Sequence, residues 1–221
     1  HTVSHDLKSP IVGAASLYNL FLYRIKKEYP QIIEDEDLKE LLERIPQTFS
    51  KMLDFINTQL DYAEAGQVIG ELESISMDRI ISVVIENFEY AEHEGIASFS
   101  KLPEIPEALC DPIRILKVWQ NLIANSIKYR GGKNPVKIEF GGRESKEKVK
   151  FWIRDDGPGI IEDQQDKVFE TNTRLNYDVE GYGFGLATVK KIIAAHGGKI
   201  WIDSEVKDGS CFVFELPQES K

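Results

Sequence analysis

The sequence predicts an α+β protein in two parts. A helical hairpin that pairs with a second copy into a four-helix bundle comes first, and an α/β sandwich comes second. Three observations carry this. Two long stretches at the start of the chain repeat apolar residues in alternating steps of four and three. That pattern stops between Gly66 and Gly70. Beyond it, strand-like and helix-like runs alternate around two glycine-rich turns, Asp155-Asp156-Gly157-Pro158-Gly159 and Gly181-Tyr182-Gly183-Phe184-Gly185-Leu186. The expected domains are 1–66 and 71–221, with Gly66-Gln67-Val68-Ile69-Gly70 as the join.

The first helix is expected from Val3 to about Tyr29, with Leu7, Ile11, Ala14, Tyr18, Phe21 and Ile25 as its seam. Pro30 turns the chain, and the acids 34–37 complement the start of a second helix reaching about Ala65. Its seam is Leu38, Leu42, Ile45, Phe49, Met52 and Ile56, and Pro46 should bend it. Leu17, Leu20, Leu22, Leu41, Leu53, Phe55 and Leu60 widen the stripe beyond what one partner helix covers, so a homodimer is expected.

In the second part, Glu71 to Ile75 reads as a short strand, and Ser76 caps a helix to about Glu94. Ile96 to Ser100 is a further strand, and Pro103 and Pro106 break the next stretch. Asp111-Pro112 opens a long helix to about Tyr129. Val136–Phe140, Val149–Ile153, Lys199–Asp203 and Cys211–Glu215 complete a mixed sheet with helices on one face. Gly141-Gly142 and Asp208-Gly209 supply hairpin turns, and a helix starts at the second glycine turn.

Composition narrows the function. At 221 residues and 42% hydrophobic content, the chain is long enough for real cores. A net charge of -10 argues against nucleic acid as a partner. Cys110 and Cys211 stand far apart outside any metal-ligand spacing and read as reduced, buried thiols. No run of about 18 uninterrupted apolar residues is present. The expected location is cytoplasmic, with membrane attachment only through a region upstream of His1.

The chemistry-bearing residues cluster on the turns and the long helix. Glycines let backbone N–H groups approach a phosphate, and a helix starting just beyond adds its positive dipole end. Asn121 and Asn125 lie four apart on one helical face, with Lys128 three further on. Amide oxygens suit Mg²⁺, and a lysine neutralises phosphate charge; a solvated polar face is the alternative. Asp155 closes its strand at the first turn; a carboxylate accepts the exocyclic amine of adenine and repels the carbonyl of guanine. Asp156 is the better candidate for an ordinary turn-forming role.

In their order, Asn121-x-x-x-Asn125 with Lys128-Tyr129, Asp155-x-Gly157-x-Gly159, Phe169-Glu170 with Arg174, and Gly181-x-Gly183-x-Gly185-Leu186 resemble the nucleotide-binding boxes of the sensor histidine kinases. Ser4-His5-Asp6-Leu7-Lys8-Ser9-Pro10 resembles that family's phosphoacceptor box, so the likeness spans nearly the whole chain. It implies a GHKL-type (Bergerat) ATP-binding sandwich, with ATP and Mg²⁺ as cofactors and a response-regulator receiver domain as partner. His5 would be phosphorylated, with Asp6 as its acid–base neighbour. Asn125 would hold Mg²⁺, supported by Asn121; Lys128 would touch phosphate, Tyr129 would lie near the base, and Asp155 would read adenine. Gly157, Gly159, Gly181, Gly183 and Gly185 would shape the loops, with Leu186 opening the helix. Arg174 would help at the transferring phosphate, and Leu175–Glu180 would form a lid.

The residues themselves support His5. It falls just off the apolar seam, an imidazole is largely neutral near physiological pH, and Asp6 beside it can orient the ring. Pro10 has no N–H for the carbonyl of Asp6, which should loosen the helix there. His93 and His196 read as structural, the latter a helix C-terminal residue. The chain departs from the family at Asp6, Lys8 and Ser9, where Glu, Arg and Thr are commoner, and at Thr171-Asn172-Thr173, which lacks the usual aromatic. Two other readings are a non-catalytic nucleotide-binding docking module and an ATP-hydrolysing clamp on the same ATP-binding fold.

Overall fold

A computed structural model describes residues 2–66, 70–145, 147–173, 181–206 and 208–218. The chain divides into two compact units, 1–61 and 62–221.

The first unit is the hairpin: α1 (Thr2–Glu28), a short 3-10 turn (Pro30–Glu34) and α2 (Glu36–Glu64). Asp35 accepts the backbone N–H groups of Asp37 and Leu38 at 3.1 Å and so caps α2. Tyr18 packs against Phe49 with ring centroids 6.3 Å apart, and its hydroxyl donates to the carbonyl of Leu42. Ile11, Tyr18, Ile25, Leu42, Ile45 and Phe49 are half-buried, yet α2 buries no residue fully. Leu17 is 70% exposed and Leu41 59%, while Leu7, Leu20, Phe21, Met52 and Phe55 are exposed as well. Of the apolar residues beside the seam, Leu17, Leu20, Leu41 and Phe55 therefore lie open on this unit, whereas Leu22, Leu53 and Leu60 are half-buried. Helix α1 runs unbroken through Pro10. Among the described residues no helix is long and apolar enough to cross a membrane.

The second unit holds a five-stranded mixed sheet. In chain order it contains β1 (Glu73–Ser76), α3 (Met77–Glu86), α4 (Glu89–His93), β2 (Ala97–Lys101), β3 (Glu107–Cys110), α5 (Pro112–Lys128), β4 (Val136–Glu144) and β5 (Lys148–Asp155). Then come α6 (Glu162–Gln165), a 3-10 turn (Lys167–Phe169), α7 (Gly185–Ala195), β6 (Lys199–Ile202) and β7 (Ser210–Pro217). The large sheet has the order β2-β4-β5-β7-β6; β2 and β4 run parallel and the other pairs antiparallel. The parallel pair requires a crossover, which β3 and α5 supply.

Alternation along the strands decides which face is covered. Val149, Phe151, Ile153 and Asp155 of β5 are buried, while Lys148 and Arg154 are exposed. On the covered face Trp119 of α5 packs edge-on against Phe140 at 5.9 Å and Phe214 at 5.2 Å. This cluster seats α5 on the sheet, and α7 packs beside α5.

Three local expectations are corrected. The helix from Ser76 is two helices: Ser76 caps α3 through Arg79 N–H, but the backbone tightens at Asn87 and Phe88, which bond to the carbonyls three residues back. Strand β3 was missed between the prolines and Asp111; it pairs antiparallel with β1 in a separate two-stranded sheet. Gly141-Gly142 is not a turn. Both residues lie inside β4, where Gly141 faces Trp152 across the ladder. A Cβ on Gly141 would come within 2.2 Å of the Trp152 ring, so the glycine makes room for an indole.

Candidate functional site

Three segments converge in the second unit: the C-terminal half of α5, the end of β5 with its glycine turn, and the start of α7. Asp111 fixes the first of these, its Oδ1 accepting the N–H groups of Ile113 (2.9 Å) and Arg114 (3.1 Å) as the α5 cap. Pro112 fills the first helical position, where a missing N–H costs nothing.

The polar face of α5 is not the solvated face that bare spacing allows. Asn121 and Asn125 are half-buried, and both lie against the first residue of α7. Asn121 donates its amide N–H to the Lys117 carbonyl at 2.8 Å, which turns its oxygen toward Gly185. A Cβ on Gly185 would lie 2.9 Å from that oxygen and 4.0 Å from the Asn125 amide nitrogen. Glycine here permits the close approach of two helices. Gly181, in the loop before α7, leaves room for the Lys128 side chain, whose Nζ would sit 2.1 Å from a Cβ there; its φ of +146° also suits glycine. The Lys128 ammonium lies 5.1 Å from the centre of the Tyr129 ring, and Tyr129 closes α5.

The end of β5 builds a carboxylate site. Asp155 is 6% exposed; its Oδ1 accepts the N–H groups of Gly157 (2.9 Å) and Ser210 (3.2 Å), and its Oδ2 accepts the Ser126 hydroxyl (3.0 Å). Burial pushes its carboxyl above the usual range, against the pull of these three donors. Asp156 behaves oppositely. Partial burial works against its charge, but Lys137 N–H at 2.8 Å and the Lys133 ammonium at 3.1 Å outweigh that and hold it low. Gly157 approaches the Tyr129 carbonyl, Gly159 meets the backbone of Gly209, and the carbonyl of Gly183 accepts Asn172 N–H at 3.0 Å. Leu186 packs on the core from the first turn of α7. Thus the backbone of 172–173, where the family's usual aromatic is missing, meets the second glycine turn directly. Arg174 and Leu175–Glu180 lie outside the described residues.

In the first unit, His5 and Asp6 are both exposed, with Nδ1 of His5 3.4 Å from Oδ1 of Asp6. Ser9 donates its hydroxyl to the His5 carbonyl at 2.9 Å and stands 3.4 Å from both ring nitrogens.

Reasoning from sequence missed Ser126, Ser210 and the working of His196. Ser126 was detectable as a lone hydroxyl one turn beyond Leu122 on the apolar stripe. His196 is buried, its Nε2 accepting Asp111 N–H at 3.1 Å and its Nδ1 donating to the Ile192 carbonyl at 2.7 Å. It ties the end of α7 to the cap of α5, a long-range contact that no local pattern reveals. Cys110 and Cys211 are buried free thiols, pushed up by burial to about 12 and about 11, and so are unreactive. Among the described residues no cluster of His, Cys, Asp or Glu could hold a metal ion.

Whether the site suits a hard cation is tested by one atom. Nδ2 of Asn125 is buried without a hydrogen-bond partner. A buried amide end left unmatched is costly, and a half-turn of the amide offers oxygen in its place. A neutral oxygen donor beside a helix start and a lysine fits Mg²⁺ with a polyphosphate.

A helix start, two amides and a lysine, gathered with a buried carboxylate at the end of the central strand, define a nucleotide-binding α/β sandwich. Residues 110–220 match the family model described as histidine kinase-, DNA gyrase B-, and HSP90-like ATPase. The chain belongs to that family, on its sensor histidine kinase branch. It is 33% identical over 217 residues to the methanogenesis regulatory histidine kinase FilI of Methanothrix harundinacea (strain 6Ac), covering 98% of this chain and 24% of FilI. Among solved structures, full-length ShkA in complex with AMPPNP matches with a TM-score of 0.76 at 21% identity, over 100% of this chain and 45% of that one. Histidine kinase ThkA in complex with response regulator protein TrrA matches with a TM-score of 0.66 at 26% identity, over 99% of this chain and 60% of that one. The chain spans less than two thirds of the length of these proteins.

Proposed function

We propose that this chain binds Mg²⁺-ATP in the second unit, transfers the γ-phosphoryl group to His5, and passes it to an aspartate of a receiver domain. The observation that carries the reading is an exposed imidazole beside a carboxylate, in a chain whose other unit gathers Asn125, Lys128, Asp155 and both glycine turns.

Each residue has a derivable task. Asp6 accepts the Nδ1 proton of His5 and leaves the lone pair on Nε2. That lone pair attacks the γ-phosphorus, the bond to the β–γ bridging oxygen breaks, and ADP leaves with the electron pair. Asp6 takes the proton that the phosphorylated ring must lose. Asn125 would hold Mg²⁺, which neutralises phosphate charge when bound. Lys128 and the N–H groups opening α7 face the phosphates, and Asp155 accepts the base amine. Positioning and charge neutralisation supply most of the rate.

The exposed apolar surplus on the hairpin supports a homodimer through a four-helix bundle. The likeness to ThkA, which was solved with its response regulator, supports a receiver-domain partner.

Incubation with γ-labelled ATP is the test. Label that survives alkali, is lost in acid and vanishes in His5→Gln is the expected result. Label on a hydroxyl, or label indifferent to His5, would overturn the reading.

A further inference from the structure

The hydrogen bonds to Asp155 leave little of its carboxylate uncommitted. A carboxylate has about four lone-pair sites, two on each oxygen. Gly157 and Ser210 occupy Oδ1, and the Ser126 hydroxyl occupies one side of Oδ2. One acceptor position remains, on Oδ2, next to the Ser126 oxygen. The Ser126 proton is committed to Asp155, so Ser126 offers only lone pairs to any further group. At 4% and 6% exposure, neither side chain is readily served by water instead.

We infer that Ser126 is a specificity-determining residue, fixing an acceptor-only pair with Asp155 that takes a 6-amino purine and rejects a 6-oxo purine. This rests on the nucleotide reading above and goes further, by assigning the choice of base to two side chains rather than one. An amino group brings two N–H donors to adjoining acceptors, whereas a 6-oxo group sets lone pairs against lone pairs. Without the hydroxyl, Oδ2 regains a second open position and loses the donor that orients it. The choice of base should then weaken. Ser126 also comes directly after Asn125, so a single helical step links the base site to the amide facing the phosphates.

The experiment titrates the full chain with ATP and with inosine triphosphate, which differ at the 6-position, and follows binding by calorimetry. Wild type should prefer ATP. In Ser126→Ala the ATP affinity should fall about tenfold and the inosine triphosphate affinity by no more than about twofold, so the preference narrows. Ser126→Thr, which keeps the hydroxyl, should restore the preference. Ser126→Cys keeps the volume with a weak donor, and stands in with the same narrowing if the alanine variant does not fold. An ATP-to-inosine preference unchanged in Ser126→Ala, or in Ser126→Cys, would overturn the inference and leave Ser126 a packing residue. If wild type binds neither nucleotide, the nucleotide reading itself fails, which is a separate outcome.

Discussion

The hydroxyl of Tyr18 donates to the carbonyl of Leu42, four residues before Pro46. In an unbroken helix that carbonyl would receive the N–H of residue 46, which proline lacks. The neighbouring helix thus satisfies an acceptor that α2 cannot satisfy alone. Burial also raises the Tyr18 hydroxyl above its ordinary range, which keeps it a donor. Tyr18→Phe, which retains the ring against Phe49, should destabilise the hairpin by about 1 kcal/mol in chemical denaturation. In a Pro46→Ala background the same change should cost much less, because alanine at that position supplies the missing N–H. Equal costs in both backgrounds would show that the bond has no connection with the proline.

Asp155 yields a pH prediction with a definite sign. Burial raises its folded-state value above the unfolded one, so the folded chain holds the proton longer. Its contribution to stability is therefore full below the ordinary carboxylate range and is lost as pH rises through the raised value. At neutral pH, Asp155→Asn should melt higher than wild type, and the gap should close as the pH falls into the carboxylate range. The same variant should bind ATP poorly at every pH, since an amide cannot offer the acceptor pair. A melting temperature unchanged or lowered at pH 7 would mean that the three donors already outweigh burial.

Asp111 has the opposite sign. Burial opposes its charge, but the N–H groups of Gly70, Arg114 and Ile113 prevail and lower it. The stability it contributes is present above the unfolded value and disappears as pH falls through the folded one. Asp111→Ala should cost about 0.5–2 kcal/mol at pH 7, the usual range for a helix cap, and less in acid. His196→Ala should add to the loss by leaving the buried Asp111 N–H without an acceptor, at about 1–3 kcal/mol. Melting curves of both variants at pH 7 and at pH 4 decide the matter.

How much of this was legible in the sequence depends on where the signal resides. Helices α1, α2 and α5 announce themselves because their periodicity and caps are local, and the boxes on α5, β5 and α7 because glycine, asparagine and aspartate at fixed spacing imply close approach. Gly141-Gly142 misled for the same reason: a glycine pair reads as a turn, whereas here it accommodates the Trp152 ring from the next strand. Strand β3 was hidden between prolines and a helix cap, and its pairing with β1 lies more than thirty residues away. Ser126 and His196 act through bonds to residues 29 and 85 positions distant, which no window along the chain contains.

Gly185 allows the sharpest test of the site's geometry. A methyl group there would come within 2.9 Å of Oδ1 of Asn121, whose amide is held in place by the Lys117 carbonyl. Asn121 cannot swing aside without giving up that bond, so either the amide turns or α7 moves off α5. The first gives up the Asn121–Lys117 bond and disturbs the amide beside Asn125, and the second displaces the backbone N–H groups that open α7 from the Asn125 amide. Gly185→Ala should therefore lower nucleotide affinity by about tenfold or more, equivalent to about 1.4 kcal/mol. Global stability should change little, because alanine in a helix recovers about 0.5–1 kcal/mol of backbone entropy. Asn121→Ala removes the atom that the methyl meets. In the double variant the penalty of Gly185→Ala should shrink sharply, a coupling expected only for groups in contact. Calorimetric titration of the two single variants and the double decides it: strictly additive losses would mean that the added methyl group acts other than through Asn121.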